Sequence, residues 1–161
     1  MVTYERLRSL FVYYPATGVF VRIKKNSINT EVGEIAGTIH KSSGRMMLKI
    51  DGRQYTASRL AFLYMTGKSP SEFIDHVNCD ILDNSWENLR EATRSQNGAN
   101  AMIHKNNKVG LKGVSLCYGK YRAQIKSGGK VKYLGLYSSP EEAYLAYVNA
   151  AVEHHGEFAR G

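Results

Sequence analysis

Apolar positions recur at two different spacings along this chain, and the changes of spacing mark out its segments. Near the start, Leu7, Leu10 and Phe11 fall on one side of a helical wheel. Residues 3–11 are therefore predicted to form a short helix, stopped by the turn signal Pro15-Ala16-Thr17-Gly18. The period then shortens. Residues 19–23, 33–40, 46–50 and 54–56 are short β-favouring runs separated by Gly, Ser and Asp-Gly, the punctuation of a small meander, with Asp51-Gly52 as its clearest hairpin turn. Helical spacing returns over 57–66, where Leu60, Leu63 and Tyr64 share a face and Gly67 supplies a C-cap ahead of Pro70.

Between Ala101 and Leu111 the chain is rich in Asn and Lys and loses its apolar period, so an exposed connection and a domain boundary are expected there. Beyond it the pattern predicts three strands, 112–116, 121–126 and 130–136, and a helix from Pro140 to about His154. Ser139-Pro140-Glu141-Glu142 is a capping-box helix start, with a serine N-cap and proline in the first helical position. Ala143, Ala146, Tyr147, Ala150 and Ala151 recur at helical spacing, and side chains this small would let the helix lie close against the sheet. His154 and His155 are read as surface residues at the helix end.

A chain of 161 residues with 43% hydrophobic content can build one moderate core or two small ones. Its 22 Lys+Arg against 14 Asp+Glu leave a formal charge of +8, which favours an acidic polymer as partner. The excess is local. From Lys105 to Lys132 there are eight Lys/Arg and no Asp or Glu, so a phosphate backbone is expected to lie along the second half. Binding to an anionic membrane surface is the main rival, weakened because these charges alternate along predicted strands and do not line an amphipathic helix. No apolar run approaches the length of a membrane span and Met1 to Arg6 lack a signal-peptide core, so a soluble, cytoplasmic protein is expected. Cys79 and Cys117 are far apart and form no CxxC pair, which suggests two reduced thiols and no cysteine-based zinc site.

The middle of the chain carries a denser pattern: Ile74-Asp75-His76-Val77-Asn78, then Leu82-Asp83-Asn84-Ser85-Trp86-Glu87-Asn88-Leu89-Arg90, then Ser95-Gln96-Asn97. Asn88 follows His76 by twelve residues and Asn97 follows Asn88 by nine. Asp-His alone is a common dipeptide and Asp83-Asn84 is at home in any turn; it is the whole set in register that signifies. It resembles the HNH nucleases of phage and homing type, in the variant with asparagine at the third position. That resemblance implies a ββα-metal core at about 72–104, with one strand ending at Asp75-His76, a second near 89–93 and a helix starting near 93–96. It also implies His76 as general base, Asp75 and Asn97 as ligands of one divalent ion, and Asn88 as a hydrogen-bonding brace. One departure stands out: many relatives carry histidine just before Arg59-Leu60, where this chain has Ser58.

Chemistry supports each role. Hydrolysing a phosphodiester needs a water deprotonated near neutral pH, which suits histidine. Charge developing on phosphate needs a cation, and a carboxylate with an amide oxygen makes a hard-oxygen site suited to Mg²⁺ or Mn²⁺, completed by phosphate oxygens and water. An asparagine brace can accept and donate at once, which would hold both the loop between the strands and the imidazole tautomer.

The C-terminal third shows Lys112-Gly113-Val114, Gly119-Lys120-Tyr121, Gln124-Ile125, Tyr133-Leu134-Gly135, Glu141-Glu142-Ala143, Ala146-Tyr147 and Gly156. These pieces resemble the plant-type ethylene-response-factor (apetala-type) DNA-binding domain, which implies a three-stranded sheet entering the major groove by the face opposite its helix. Alternation selects that face independently: Tyr121, Ala123 and Ile125 point one way, and Lys120, Arg122, Gln124 and Lys126 the other. On such a face Arg122 would read guanine and Gln124 adenine, Lys112, Lys120 and Lys126 would lie along the DNA, and Tyr133 would pack on sugar or a thymine methyl.

The fold expected is thus α+β. A strand-rich lead-in and HNH domain occupy 1–104, a basic linker 105–111, and a sheet-and-helix DNA-binding domain 112–161. The function expected is metal-dependent cleavage of double-stranded DNA by a monomer, which would nick, or by a homodimer, which would cut both strands. The alternative is a non-catalytic, sequence-specific DNA-binding protein with a vestigial HNH core.

Overall fold

The computed structural model describes residues 1–25, 28–103 and 106–159, so Lys105 of the expected linker and Arg160 and Gly161 of the expected C-terminal domain lie outside the described residues. The chain divides into two compact units, Met1–Glu91 and Ala92–Gly161, and its elements are mixed α+β. No helix among the described residues is long and apolar enough to cross a membrane.

In the first unit, Thr3 accepts the Arg6 N–H and caps helix α1 (Tyr4–Leu10), which buries Leu7 and Leu10. The helix ends one residue earlier than its periodicity predicts. Phe11 opens strand β1 (Phe11–Tyr14), which pairs antiparallel with β2 (Val19–Arg22). Four consecutive β-formers, Phe-Val-Tyr-Tyr, bury their alternate members Phe11 and Tyr13, and that period-two burial outweighs the helical spacing that Phe11 also satisfies. Of the run 33–40, only β3 (Thr38–Ile39) is regular strand, paired with β4 (Met46–Ile50). Upstream of it, the Arg22 N–H donates to the Glu34 carbonyl and the Ala36 N–H to that of Phe20, so the run crosses from one small sheet to the next. Gly37, at φ +119°, makes the bend.

Strand β5 (Arg53–Thr56) returns along β4 through Asp51-Gly52, whose φ values of +48° and +80° are the paired positive angles of a type I′ turn. The Arg6 guanidinium grips the Asp51 carboxylate at 2.6 and 3.0 Å and holds its pKa below the usual range. Helix α2 (Ala57–Thr66) ends at Gly67 in the left-handed region, as expected. It packs Leu60, Ala61 and Leu63 with Phe11, Phe20, Leu48 and Ile50 in one core. Strands β6 (Phe73–His76) and β7 (Leu89–Ala92) then form a two-stranded sheet, linked by a loop that closes in a 3₁₀ turn, Trp86–Asn88.

In the second unit, Thr93 and Gln96 form a complete capping box at the start of helix α3 (Arg94–Asn100). Strands β8 (Val114–Cys117), β9 (Lys120–Ser127) and β10 (Lys130–Tyr137) make an antiparallel sheet in the order β10-β9-β8. Helix α4 (Pro140–His155) covers one face of it, starting at Ser139, whose hydroxyl accepts the Glu142 N–H. The small-residue stripe behaves as expected: Ala143, Tyr147, Ala150 and Ala151 are buried, and a Cβ added at Gly113 would sit 2.0 Å from the Tyr147 ring.

Three expectations change here. The stretch before β8 is not exposed throughout, because Val109 and Leu111 pack into the core beneath the sheet. The Asn107 amide accepts the N–H groups of Val109 and Gly110 and donates to the carbonyls of Leu111 and Val114. The contact boundary falls after Glu91, and α3 packs on α4 and on the 3₁₀ turn Gly156–Phe158, burying Ala92 and Ala99 with Phe158. His155 is buried, because it continues by steps of four the stripe that contains Tyr147 and Ala151. Burial pushes its pKa down, a hydrogen bond with the Lys126 backbone opposes that, and the charges of His154 and Lys112 add to the lowering.

One glycine ties the first unit to the loop it carries. Gly18 lies at φ +71°, and a Cβ there would come within 2.2 Å of the Asn84 carbonyl carbon. Gly67 has a similar φ of +72° with nothing within 4 Å of its Cβ position. Gly67→Ala should therefore cost only the left-handed strain of about 1–2 kcal/mol. Gly18→Ala should cost clearly more, about 3 kcal/mol or above, because backbone must also move. Urea denaturation of both variants checks this; equal losses would mean that the contact with Asn84 carries no weight.

Candidate active site

The loop from Asn78 to Asn88 is built from short polar side chains closing on their own backbone. Asn78 Oδ1 accepts the Asp80 N–H, Asp80 Oδ1 accepts the Leu82 N–H, and Asp83 Oδ1 accepts both the N–H and the hydroxyl of Ser85. The Asp83 carboxylate also takes the Asn78 amide at 2.8 Å, and these bonds, the Ser85 hydroxyl foremost, hold its pKa below the usual carboxylate range. Asn88 closes the loop from the far end. Its Oδ1 accepts the Asn78 N–H at 2.9 Å and its Nδ2 donates to the Asp83 carbonyl at 2.8 Å. Asn88 thus bonds the loop on two sides, and another residue contacts the imidazole.

That residue is Asn84. Its Nδ2 donates to the Leu82 carbonyl at 3.0 Å, which fixes the amide orientation and turns Oδ1 to His76 Nε2, 3.3 Å away. An amide oxygen only accepts, so the neutral imidazole carries its proton on Nε2 and its basic lone pair on Nδ1. Burial pushes the His76 pKa below its ordinary value; the Asn84 bond opposes this, Arg45 adds to the lowering, and Asp75 and Asp83 oppose it. His76 and Asn84 are both buried. In the sequence Asn84 looked like a turn residue; the spacing of eight from His76 gave no signal, because the loop between them is irregular.

Asn84 is itself held by the β1–β2 hairpin. The Tyr13 hydroxyl donates to its backbone carbonyl at 2.7 Å in the interior, the Trp86 N–H donates to the Pro15 carbonyl at 2.8 Å, and Gly18 lies against the same peptide. Burial, with the Asp83 charge, raises the Tyr13 phenol far above its ordinary pKa, so it stays a donor. Beside His76, Asp75 is buried, and Arg90 Nε holds its Oδ2 at 3.0 Å. Ser58 is buried at the start of α2 with its hydroxyl 3.5 Å from Thr56 Oγ1.

The expected residues thus divide. Asp75, His76 and Asn88 come together in the first unit, whereas Asn97 is a half-buried residue of α3 in the second. Among the described residues no three His, Cys, Asp or Glu side chains converge as a metal cage. The donors beside His76 are one buried carboxylate and amide or carbonyl oxygens, a set that suits a hard cation completed by substrate oxygens and water and does not suit tetrahedral zinc.

On the second unit, the sheet face away from α4 carries the other expected residues. Lys120 and Lys126 are exposed, and Arg122 and Gln124 are half-buried. In register across β10, Leu136 stands opposite Arg122, Tyr133 opposite Gln124 and Val131 opposite Lys126. Tyr133 is 61% exposed, an aromatic displayed beside an amide and two cations. Arg122 Nε donates to Ser115 Oγ at 3.3 Å, which orients its guanidinium along the face. Lys112 departs from the expected row: its ammonium donates to the carbonyls of Ala99 and Ala101 at the end of α3.

Residues 55–99 match the family model described as HNH endonuclease. That match runs from the end of β5 into α3. The chain is also 34% identical over 98 residues to an uncharacterized HNH endonuclease of Acanthamoeba polyphaga mimivirus, a match covering 60% of this chain and 51% of that protein. The chain thus spans about half the length of the curated relative it matches.

The brace makes its own prediction. Asn88→Ala removes an acceptor and a donor whose partners are backbone groups of the loop, and should cost about 1–3 kcal/mol per group left unpaired in the interior. Hydrogen exchange should speed up at the Asn78 amide in this variant. Exchange there as slow as in the wild type would show that the Asn88 carboxamide does not close the loop.

Proposed function

We propose that this chain is a metal-dependent endonuclease of the HNH type that hydrolyses phosphodiester bonds in double-stranded DNA, nicking it as a monomer. The observation that carries this reading is the imidazole of His76, kept neutral by burial and turned with its lone pair on Nδ1 by Asn84, beside the Asp75 carboxylate and inside the HNH-matching segment. In the reaction a water oxygen attacks phosphorus and its proton passes to His76 Nδ1. The bond from phosphorus to the leaving oxygen breaks, and that oxygen takes up a proton, giving one phosphomonoester and one hydroxyl end. Mg²⁺ or Mn²⁺, when bound, supplies charge neutralisation at the phosphoryl and leaving oxygens. Asp75 and Asn97 are assigned to hold it, Asn97 on sequence spacing alone. Asn88 and Asn84 keep His76 in place.

A plasmid-nicking assay in Mg²⁺ tests this reading. The wild type should convert supercoiled to open-circular DNA, chelation should stop it, and His76→Ala should lower the rate by about a hundredfold or more with DNA affinity unchanged. Asp75→Ala and Asn97→Ala should each shift half-maximal activity to higher Mg²⁺. No cleavage by the wild type, or full activity in His76→Ala, would overturn it.

The second unit is proposed as the reader of the duplex, through the sheet face carrying Lys120, Arg122, Gln124, Lys126 and Tyr133. What supports it is the pairing of cations and an amide with the exposed Tyr133 on one side of a sheet whose other side is covered by α4. Arg122→Ala should relax base preference at one position at a cost of about 1–3 kcal/mol, whereas Lys126→Ala should weaken all sequences about equally and lower the salt slope by about one. Binding isotherms on a selected site and on random DNA at several salt concentrations separate the two; identical behaviour of both variants would remove this face from the interface.

A further inference from the structure

Ser115 stands outside the row of polar side chains that alternation picks out along β9, yet it holds one of them in place. Val114 and Ala123 are register partners across β8 and β9, and both are buried in the core beneath α4. Successive side chains of a strand point to opposite faces, so the next partners, Ser115 and Arg122, stand together on the outer face, each half-buried. The register there is fixed. The Gln124 N–H donates to the Gly113 carbonyl at 2.9 Å, and Gly113 lies under the Tyr147 ring, where an added Cβ would be 2.0 Å from it. Arg122 Nε donates to Ser115 Oγ at 3.3 Å. Across β10 the partner of Arg122 is Leu136, whose side chain has no acceptor. Among the described residues, the bond to Ser115 is the only hydrogen bond or ion pair of the Arg122 side chain.

The N–H donors of a guanidinium lie in one plane, and it can meet a pair of acceptors either with its Nη1/Nη2 end or with its Nε/Nη side. Nε is spent on Ser115, so the end is left for a ligand. We propose that Ser115 is a positioning residue for sequence recognition, anchoring Arg122 so that Nη1 and Nη2 together meet O6 and N7 of one guanine in the major groove. This rests on the reading of the outer sheet face as the DNA reader. A long side chain tied down before DNA arrives has less rotamer freedom to lose on docking. A fork held at one angle also distinguishes guanine, whose two acceptors lie side by side, whereas a freely swinging one meets a nearby phosphate as readily. The serine hydroxyl is uncharged, so it adds nothing to the attraction for the phosphate backbone and acts on selectivity.

The test uses the full chain in EDTA, with wild type, Ser115→Ala, Ser115→Thr, Arg122→Ala and the double variant of Ser115→Ala with Arg122→Ala. Each is titrated at several salt concentrations onto a duplex that the wild type selects from a random library, onto that duplex with each base pair changed in turn, and onto random duplex. Ser115→Ala should lose about three- to tenfold in discrimination at a single base pair, the one at which Arg122→Ala loses it. Its affinity for random DNA, its salt slope and its melting temperature should stay close to wild type. Ser115→Thr keeps the hydroxyl and should restore the discrimination. Added to Arg122→Ala, Ser115→Ala should change nothing further. In the free protein, NMR should show the Arg122 Nε–H exchanging with water faster in Ser115→Ala than in wild type. Unchanged discrimination or unchanged Nε–H exchange in Ser115→Ala, a loss spread equally over all duplexes, or a threonine variant no better than alanine would each overturn the role of Ser115 while leaving Arg122 as a reader. If the wild type shows no preference among duplexes, or Arg122→Ala keeps all of it, the reading of this face fails and the role of Ser115 falls with it.

Discussion

A buried histidine can serve as a base only if something fixes which nitrogen carries the proton, and in the first unit that requirement is met by one carboxamide. Asn84 faces His76 Nε2 with its oxygen because its nitrogen is committed to the Leu82 carbonyl. Its backbone carbonyl is committed in turn to the Tyr13 hydroxyl. The imidazole tautomer is therefore set by a chain of hydrogen bonds that begins on β1. The bonds to Tyr13 and His76 lie in the interior and the bond to Leu82 is partly buried, where an unpaired donor or acceptor is costly, so the links are expected to hold together as a set. The Asn88 brace and the polar turns of the loop serve the same end, keeping an irregular segment from moving relative to β6.

The two units solve opposite problems with the same element types. In the first, a polar loop of low helical and strand propensity has to be rigid, and it borrows rigidity from a hairpin and a helix whose apolar faces share one core. In the second, a sheet has to be firm on one side and polar on the other. Its firm side comes from a stripe of alanines that lets α4 approach closely, with Gly113 under the Tyr147 ring. That leaves the outer side free to carry cations whose solvation costs the fold little.

Much of this was readable in the residues. The cap at Ser139, the Asp51-Gly52 turn, the Gly67 stop and the alternation along β9 are local rules, and each is obeyed. The misreadings arise where two local rules compete or where a partner is distant. Phe11 satisfies both a helical wheel and a strand, and its neighbours decided for the strand. Asn107 in an Asn/Lys-rich stretch looks like a solvated loop until its amide is found binding four backbone groups, and Lys112 looks like a phosphate contact until α3 supplies carbonyls for it. Asn84 reaches His76 through a loop of irregular length, for which sequence has no period to read.

The hairpin that holds Asn84 lies outside residues 55–99, the segment that matches the HNH endonuclease model. Motif and folding unit therefore have different borders here. A cassette cut at the borders of the motif would carry the imidazole away without the phenol, the glycine and the proline carbonyl that keep it oriented. In evolution such a segment can be exchanged between chains only together with its hairpin, or into a host that already offers an equivalent support. The reach of the motif along the sequence thus understates how much chain must be inherited for it to work.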